Sequence, residues 1–411
     1  MVLFAPILWS VYNVMSFGAI GDGYHDDTSS IRSAILALEK GGGGTLLFPD
    51  GHVFLSKPLN ISSNTMLLVN GILRASNSSV MWPLIPPLPW YGGGVDSPLS
   101  GQPEWQPFIL AMGDNITVTG GGLIDGSGSD WWLCAHGVNP LQGAPCSGFS
   151  RPRLLQPRHA TNFKLFNVSL QDSPAWTIHL ANVTNALLFN FTVTAPASVG
   201  NTDGVDVDCS SNVTILDFLY AGGDDAIAVK AGLDWLGREF GRATEDVLVR
   251  GLTVLSGNGF AVGSEMSASV RNVRFENVLV DCKNSICKHG LYVKTMRGRG
   301  GAVSEVTVLN ATVRHVGFGH GLTLEYQRNI PVTNVSATPS VSNISIIGGV
   351  IEDAGVAFSF AGLPESQIMN LELSSIILGA GIGRVASDCS NTTGVCSSMP
   401  RAWCPPCLKN A

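Results

Sequence analysis

The sequence predicts an all-β chain wound into a right-handed single-stranded parallel β-helix, a solenoid with a short N-terminal helical cap. Three observations carry this. A nine-residue template, one polar residue followed by apolar residues at offsets +1, +3, +6 and +8, recurs nine times between Asn115 and Leu378. Its starts lie 47, 23, 27, 34, 26, 33, 38 and 27 residues apart, the irregular but recurrent spacing of a stacked array. The composition is rich in glycine (48 of 411 residues) and poor in charge (13%), yet 45% apolar, which excludes collagen-like and disordered chains. A β-propeller is the main rival architecture, but its blades need about 40–45 residues and antiparallel turns.

The elements follow in chain order. Asp27-Thr28 can cap a short helix with Ile31, Ala34, Ile35 and Leu38 on one face, ended by the Gly41–Gly44 run. Two strand-like segments follow, Thr45–Phe48 and Met66–Val69. One domain is expected over 1–411: cap and first coils at 12–75, the β-helix at 105–385, and a Cys-rich tail at 386–411. Within the β-helix each half of the template alternates with period two, as a strand with one buried face does. The alternation slips at offset +5, occupied by Gly120, Asn167, Asn190, Asp217, Gly251, Asn277, Asn310, Gly348 and Ser375. Several of these residue types tolerate a left-handed corner. The first interval of 47 residues fits either two minimal turns or one turn with a long insert.

A third strand is expected in the later coils, starting at Asp203, Asp225, Asn258, His289, His320 and Ala354 in matching positions. Its inward pairs would be Val205/Val207, Ile227/Val229, Phe260/Val262 and Leu291/Val293. Its outward pairs would be Asp206/Asp208, Ala228/Lys230, Ala261/Gly263 and Tyr292/Lys294. Polar chemistry concentrates on this ladder. Asp203 and Asp225 are 22 residues apart, so they fall on neighbouring rungs, with Asp224 beside them and of opposite parity. A bare carboxylate in an apolar core is too costly, so the strands should begin after Asp203 and Asp225, leaving both at a groove corner. Three carboxylates so close cannot all ionise easily, and at least one pKa should be raised. A proton donor beside a water-activating base is what acid hydrolysis of a glycosidic bond requires. Asp at β-helix corners is also common turn chemistry, and clustered Asp can hold calcium; both readings stay open at this point.

The pattern Asn201-Thr-Asp203-Gly, Gly223-Asp224-Asp225, a later Gly-x-Gly and a downstream Lys resembles the polygalacturonases of glycoside hydrolase family 28. So do FGAIGDGYHDDTSSI, GGGGTLLFP, Trp82-Pro-Leu-Ile-Pro-Pro-Leu-Pro, Asp130-Trp131-Trp132, Ser150-Arg-Pro-Arg153, Val262-Gly-Ser-Glu-Met-Ser267 and Gly298-Arg-Gly-Gly301, which look like its plant-type branch. The resemblance implies that Asp224 protonates the leaving oxygen, while Asp203 and Asp225 hold and deprotonate the attacking water, with inversion and without metal or cofactor. It implies substrate contacts at Lys294, Tyr292, Asn258 and Asn201, and a pectic polysaccharide as partner. Two positions depart from the family pattern. Its Gly-His-Gly is here Gly257-Asn258-Gly259, and its Arg-Ile-Lys is here Tyr292-Val293-Lys294, so the bidentate arginine is absent and Tyr292 offers a stacking face instead. Gly319-His320-Gly321 lies two coils later and is not the equivalent motif. A hydrolase of decorated or rhamnose-containing pectin, a non-catalytic pectin-binding β-helix and a calcium-dependent lyase are the alternatives.

Trp131, Trp132 and Trp176 read as packing or groove wall, and His289 and His320 as satisfied structural histidines. The Lys294–Arg299 run should border the groove. A formal charge of −7 argues against nucleic acid or an anionic membrane as bulk partner, and a monomer is expected. Nine cysteines, eight of them in close neighbours (134/146, 282/287, 389/396, 404/407), fit local disulfides with Cys209 unpaired. Cys404-Pro-Pro-Cys407 could alternatively be a redox or zinc half-site. Eleven N-x-Ser/Thr sequons fit a secreted, wall-associated protein, although Asn167, Asn190 and Asn310 fall on the repeat corner. Met1–Trp9 is apolar without a basic segment and reads poorly as a signal peptide, so either a truncated gene model or a missing targeting segment is expected.

Overall fold

A computed structural model describes residues 9–77, 82–91, 102–138, 150–285, 287–327 and 337–410. Parallel strand pairing runs from Val11, against Thr45, to Asn410, against Cys396. The template is the first two strands of each coil. Its inward column passes without a break through Leu46, Leu67, Val118, Leu165, Leu188 and Ile215. It continues through Val249, Phe275, Val308, Ile346 and Leu373. All eleven are at most 1% exposed, and burial of each such side chain contributes about 1.5–3 kcal/mol. The solenoid is held along its axis by this column.

The corners show why the template has its residue types. All nine template starts have positive φ, from Asn115 (58°) to Asn370 (56°), including Asp246 and Glu305. All nine +5 positions do too, such as Asn167 (56°), Asp217 (50°), Gly251 (71°) and Ser375 (56°). Asparagine and glycine tolerate this region best. The asparagines then bond along the axis. Asn115 Nδ2 donates to Asn64, Asn162 to Asn115, Asn185 to Asn162 and Asn212 to Asn185. On the second corner Asn190 donates to Asn167 and Asn310 to Asn277. The amides of the sequon residues Asn115, Asn190, Asn212 and Asn310 are therefore committed to the stack.

Thr117 and Val118 pair directly with Lys164 and Leu165, so the first interval is one turn with a long insert that carries helix Ser129–Ala135. Helix Thr28–Lys40 buries Ile31, Ala34, Ile35 and Leu38 as expected. Asp27 makes no side-chain cap on it; its carboxylate instead accepts from the N–H groups of Ile20 and Gly21.

The third strands correct two registers. Val205 pairs with Ile227, Ile227 with Phe260 and Phe260 with Leu291, as the repeat predicts. Beyond that, His289 pairs with Phe318, and His320 pairs with Leu291 and Phe358, while Ala354 pairs with Val316. The strand Ala302–Thr323 runs unbroken through its corner, so its coil reaches the third face two residues sooner than the His-Gly-Leu likeness suggests. His320 thus lies on the inward column, 1% exposed, and its Nδ1 has no hydrogen-bond partner. It is not the satisfied corner histidine expected. Burial lowers its pKa to about 4, which keeps the ring neutral.

Cys282–Cys287 forms as expected and Cys209 is free and buried. The tail is different: the bonds are Cys389–Cys407 and Cys396–Cys404. Lys409–Asn410 returns alongside Val395–Cys396, so each cysteine of the tail faces one from the preceding turn rather than its sequence neighbour. The Cys404-Pro-Pro-Cys407 thiols are consumed by these bonds, which leaves neither a redox pair nor a zinc half-site. Cys146 and Asn334 lie outside the described residues. No helix among the described residues is long and apolar enough to cross a membrane.

Candidate active site

Two turns on adjacent rungs build the acid cluster. The strand Val205–Asp208 begins after Asp203, as expected, but Asp225 lies inside the continuous strand Ser211–Lys230, paired with Asn258. Gly223 is required because a Cβ there would overlap the carbonyl oxygen of Val199. Tyr220, fully buried, ties the turns together: its hydroxyl donates to Thr202 O or Asp224 O (3.0 Å each) and accepts from Asp224 N–H at 3.2 Å.

Carboxylate oxygens of Asp203, Asp224 and Asp225 lie within 4.8 Å of one another. Their exposure differs from the open corner expected. Asp203 is 3% and Asp225 2% exposed, with the half-buried Asp224 on the solvent side. Each buried group has its own reason for being tolerable. Asp225 pairs with Lys294 Nζ at 2.6 Å; burial opposes the ammonium, but Asp225 and Tyr326 together outweigh it and raise the lysine pKa. Asp203 has Oδ1 without a hydrogen-bond partner. Burial, with the carboxyl groups of Asp206 and Asp224 close by, raises its pKa well above the carboxylate range, so a proton stays on it. Asp224 is oriented by three donors: Asn201 N–H at 2.8 Å, Asp225 N–H at 3.0 Å and Asn258 Nδ2 at 3.2 Å. The same three carboxylates could hold a cation, with the Lys294 ammonium already compensating one of them.

The structure brings the other sequence-selected residues to the same face. Asp225 pairs with Asn258, and the next rung, Cys287–Lys294, sets Tyr292 and Lys294 against Ala261 and Gly263, with His289 ahead of them on the same strand. The His289 and Tyr292 rings stack at 3.9 Å, so one tyrosine face is already covered. His289 Nδ1 lacks a partner, and burial lowers its pKa to about 4. Trp131 is core, edge-on to Trp82 and Trp105. Trp132 donates to Ser173 O, and Trp176 lies under Lys230, whose Nζ is 4.1 Å from the ring centroid. Of the Lys294–Arg299 run, Arg299 is instead buried on Asp234 at 2.7 Å and Arg297 pairs with Glu365.

Three contributors escaped the sequence reading. Arg151 donates to Gly200 O at 2.7 Å and Asn201 Oδ1 at 3.4 Å, buttressing the Asn201–Asp203 turn; its motif was recognisable but carried no role. Tyr220 looked like one more inward apolar residue. The third is the pair Asp206 and Lys230. Lys230 bonds Glu265 at 3.0 Å and lies 3.4 Å from Asp206. One ammonium cannot hold both carboxylates ionised: against burial, Lys230 and Arg299 hold Glu265 down at about 2, whereas burial carries Asp206 up to about 8 despite Lys230. The native state therefore keeps a proton on Asp206 that the unfolded chain releases near pH 3.9. Stability from this group is present in acid and lost as pH rises from about 4 to 8. Asp206→Asn, which cannot ionise, should match wild type near pH 4 and melt higher at pH 8. Parallel melting curves across that range would show that Asp206 ionises freely.

Fold and cluster together define a parallel β-helix with carboxylates gathered on one face. Residues 101–398 match the family model for glycosyl hydrolases family 28, and residues 11–79 match one described as rhamnogalacturonase A/epimerase, pectate lyase-like. The chain belongs to glycosyl hydrolase family 28 and is a glycoside hydrolase. It is 30% identical over 401 residues to a probable polygalacturonase of Vitis vinifera, covering 95% of this chain and 79% of the relative. An endo-polygalacturonase of Pectobacterium parmentieri is 29% identical over 342 residues, covering 78% and 80%. Among solved structures, a hyperthermoactive exopolygalacturonase from Thermotoga maritima superposes with TM-score 0.79 at 25% identity, covering 90% of this chain and 88% of its own. The polygalacturonase of Erwinia carotovora ssp. carotovora shares the fold, with TM-score 0.70 at 22% identity and 93% and 97% coverage.

Proposed function

We propose that the protein is a polygalacturonase, hydrolysing α-1,4-linked galacturonate in pectin by single-displacement acid/base chemistry with inversion. The observation that carries this is the gathering of Asp203, Asp224 and Asp225 within 4.8 Å in a chain of this family. Asp224, the most exposed of the three, is the proton donor to the leaving oxygen. Asp203 and Asp225 hold the attacking water, and Asp225, the partner of the Lys294 ammonium, takes its proton. Lys294 meets a uronate carboxylate, Tyr292 borders the sugar ring beside it, and Asn258 and Asn201 fix Asp224 and line its rim. Arg151, beside Asn201, supplies a guanidinium near the site.

Several structural expectations belong with this reading. The coil winds right-handed, as parallel crossovers nearly always do. Helix Thr28–Lys40 covers the first strands at the open end, and the chain is one domain with the segments 12–75, 105–385 and 386–411. The disulfides, the polymeric substrate and the named relatives support a secreted, wall-associated monomer, free of membrane and nucleic acid.

Incubation with polygalacturonate should release reducing ends without unsaturated products, and a chelator should not slow it. Unsaturated ends or chelator-sensitive turnover would establish a metal-dependent lyase instead. Binding without release from any pectic polymer would establish a non-catalytic binding protein.

A further inference from the structure

From the contrast between the two sides of the acid cluster, we infer that the enzyme acts on chain ends, because its groove is closed toward the N-terminal coils. This rests on the polygalacturonase reading. The outward ladder of the third strands is the floor on which a polymer would lie. Toward the C-terminal coils that floor opens from the rung of Tyr292 onward: Tyr292, Lys294, Thr323 and Ser359 are half-buried, while Ala261 on the rung before it is covered. Toward the N-terminal coils it does not. Gln156 and His179, and on the rung of Asp203 itself Asp206 and Asp208, occupy outward positions yet are 0% exposed.

The strap through Trp90 and Tyr91 is part of this cover: its rings meet Asp208 and His179, and Trp176 stands edge-on to His179. Trp90 is fully buried, its indole N–H donates to Asp208 Oδ2 at 2.8 Å, and its ring stacks on Phe240 at 4.6 Å. Trp90 O accepts from Leu233 N–H at 2.9 Å, and Tyr91 bridges to Leu233. The strap is thus docked on helix Asp234–Phe240 and on the ladder at once. Asp208 also holds His179 Nε2 at 3.2 Å and the Gly232 N–H at 2.9 Å, so displacing Trp90 would strip one of three donors from a buried carboxylate. Stacked rungs are about 4.8 Å apart, and the sealed rungs adjoin the one that carries Asp225. A polysaccharide threading past the acids in both directions would have to cross this wall. A chain end abutting it presents its terminal linkage to Asp224.

The test is the product profile of the full chain on polygalacturonate and on galacturonate oligomers of defined length. Single sugar units should dominate from the earliest time points, with viscosity falling only in step with reducing ends. A bulky label on one end of an oligomer should stop release, and the same label on the other end should not. Early viscosity collapse with mixed oligomers, or indifference to both labels, would overturn end action while leaving hydrolysis intact. Absence of any hydrolysis would overturn the polygalacturonase reading and this inference with it.

Discussion

Asp224→Asn should lower turnover of polygalacturonate by about 10²–10⁴-fold, the range lost with a positioned proton donor. The substitution keeps the shape of the side chain and leaves one oxygen for the donors around it, Asn201 N–H, Asp225 N–H and Asn258 Nδ2. The half-buried position requires no large reorganisation. Unfolding temperature should therefore stay close to wild type while activity collapses. Full activity in this variant would remove Asp224 from the chemistry and leave the cluster as turn structure.

Lys294→Met should cost stability as well as activity. The ion pair to Asp225 is short, 2.6 Å, and its side chains are 11% and 3% exposed, so solvent does little to screen it. Removing one partner of such a pair strands a buried charge, at a cost of about 3–5 kcal/mol. Adding Asp225→Asn removes the stranded charge and should restore most of the stability without restoring turnover. Denaturant unfolding of wild type, single and double variants measures the coupling. An unchanged midpoint in the single variant would mean that Asp225 is already protonated without its lysine.

How much of this was readable in the sequence depends on the range of the contact. Offsets 0 and +5 of the template were legible because local sterics act there: the chain needs φ > 0, and Asn, Asp and Gly stand at most of those places. The acid cluster was legible because two rungs separated by 22 residues must stack once the repeat is known. The burial of Asp203 and Asp225 was not, since it depends on Tyr220 beneath and on Lys294, 69 residues away. His320 misled because a three-residue likeness outweighed the count of residues around its coil. The tail disulfides misled because sequence proximity stood in for one extra turn of chain. The Trp90 strap had no local signal: its contact with Asp208 spans 118 residues.

The asparagine columns carry a consequence for how such a protein can diversify. Each amide is shared with the rung before it, so deleting or lengthening a rung would unzip two neighbours. New sequence is tolerated where the chain leaves the stack between strands, as it does at helices Ser129–Ala135 and Asp234–Phe240. Descendants of this chain would therefore exchange one polymer for another by reshaping those excursions, above a chemical apparatus that the scaffold holds fixed.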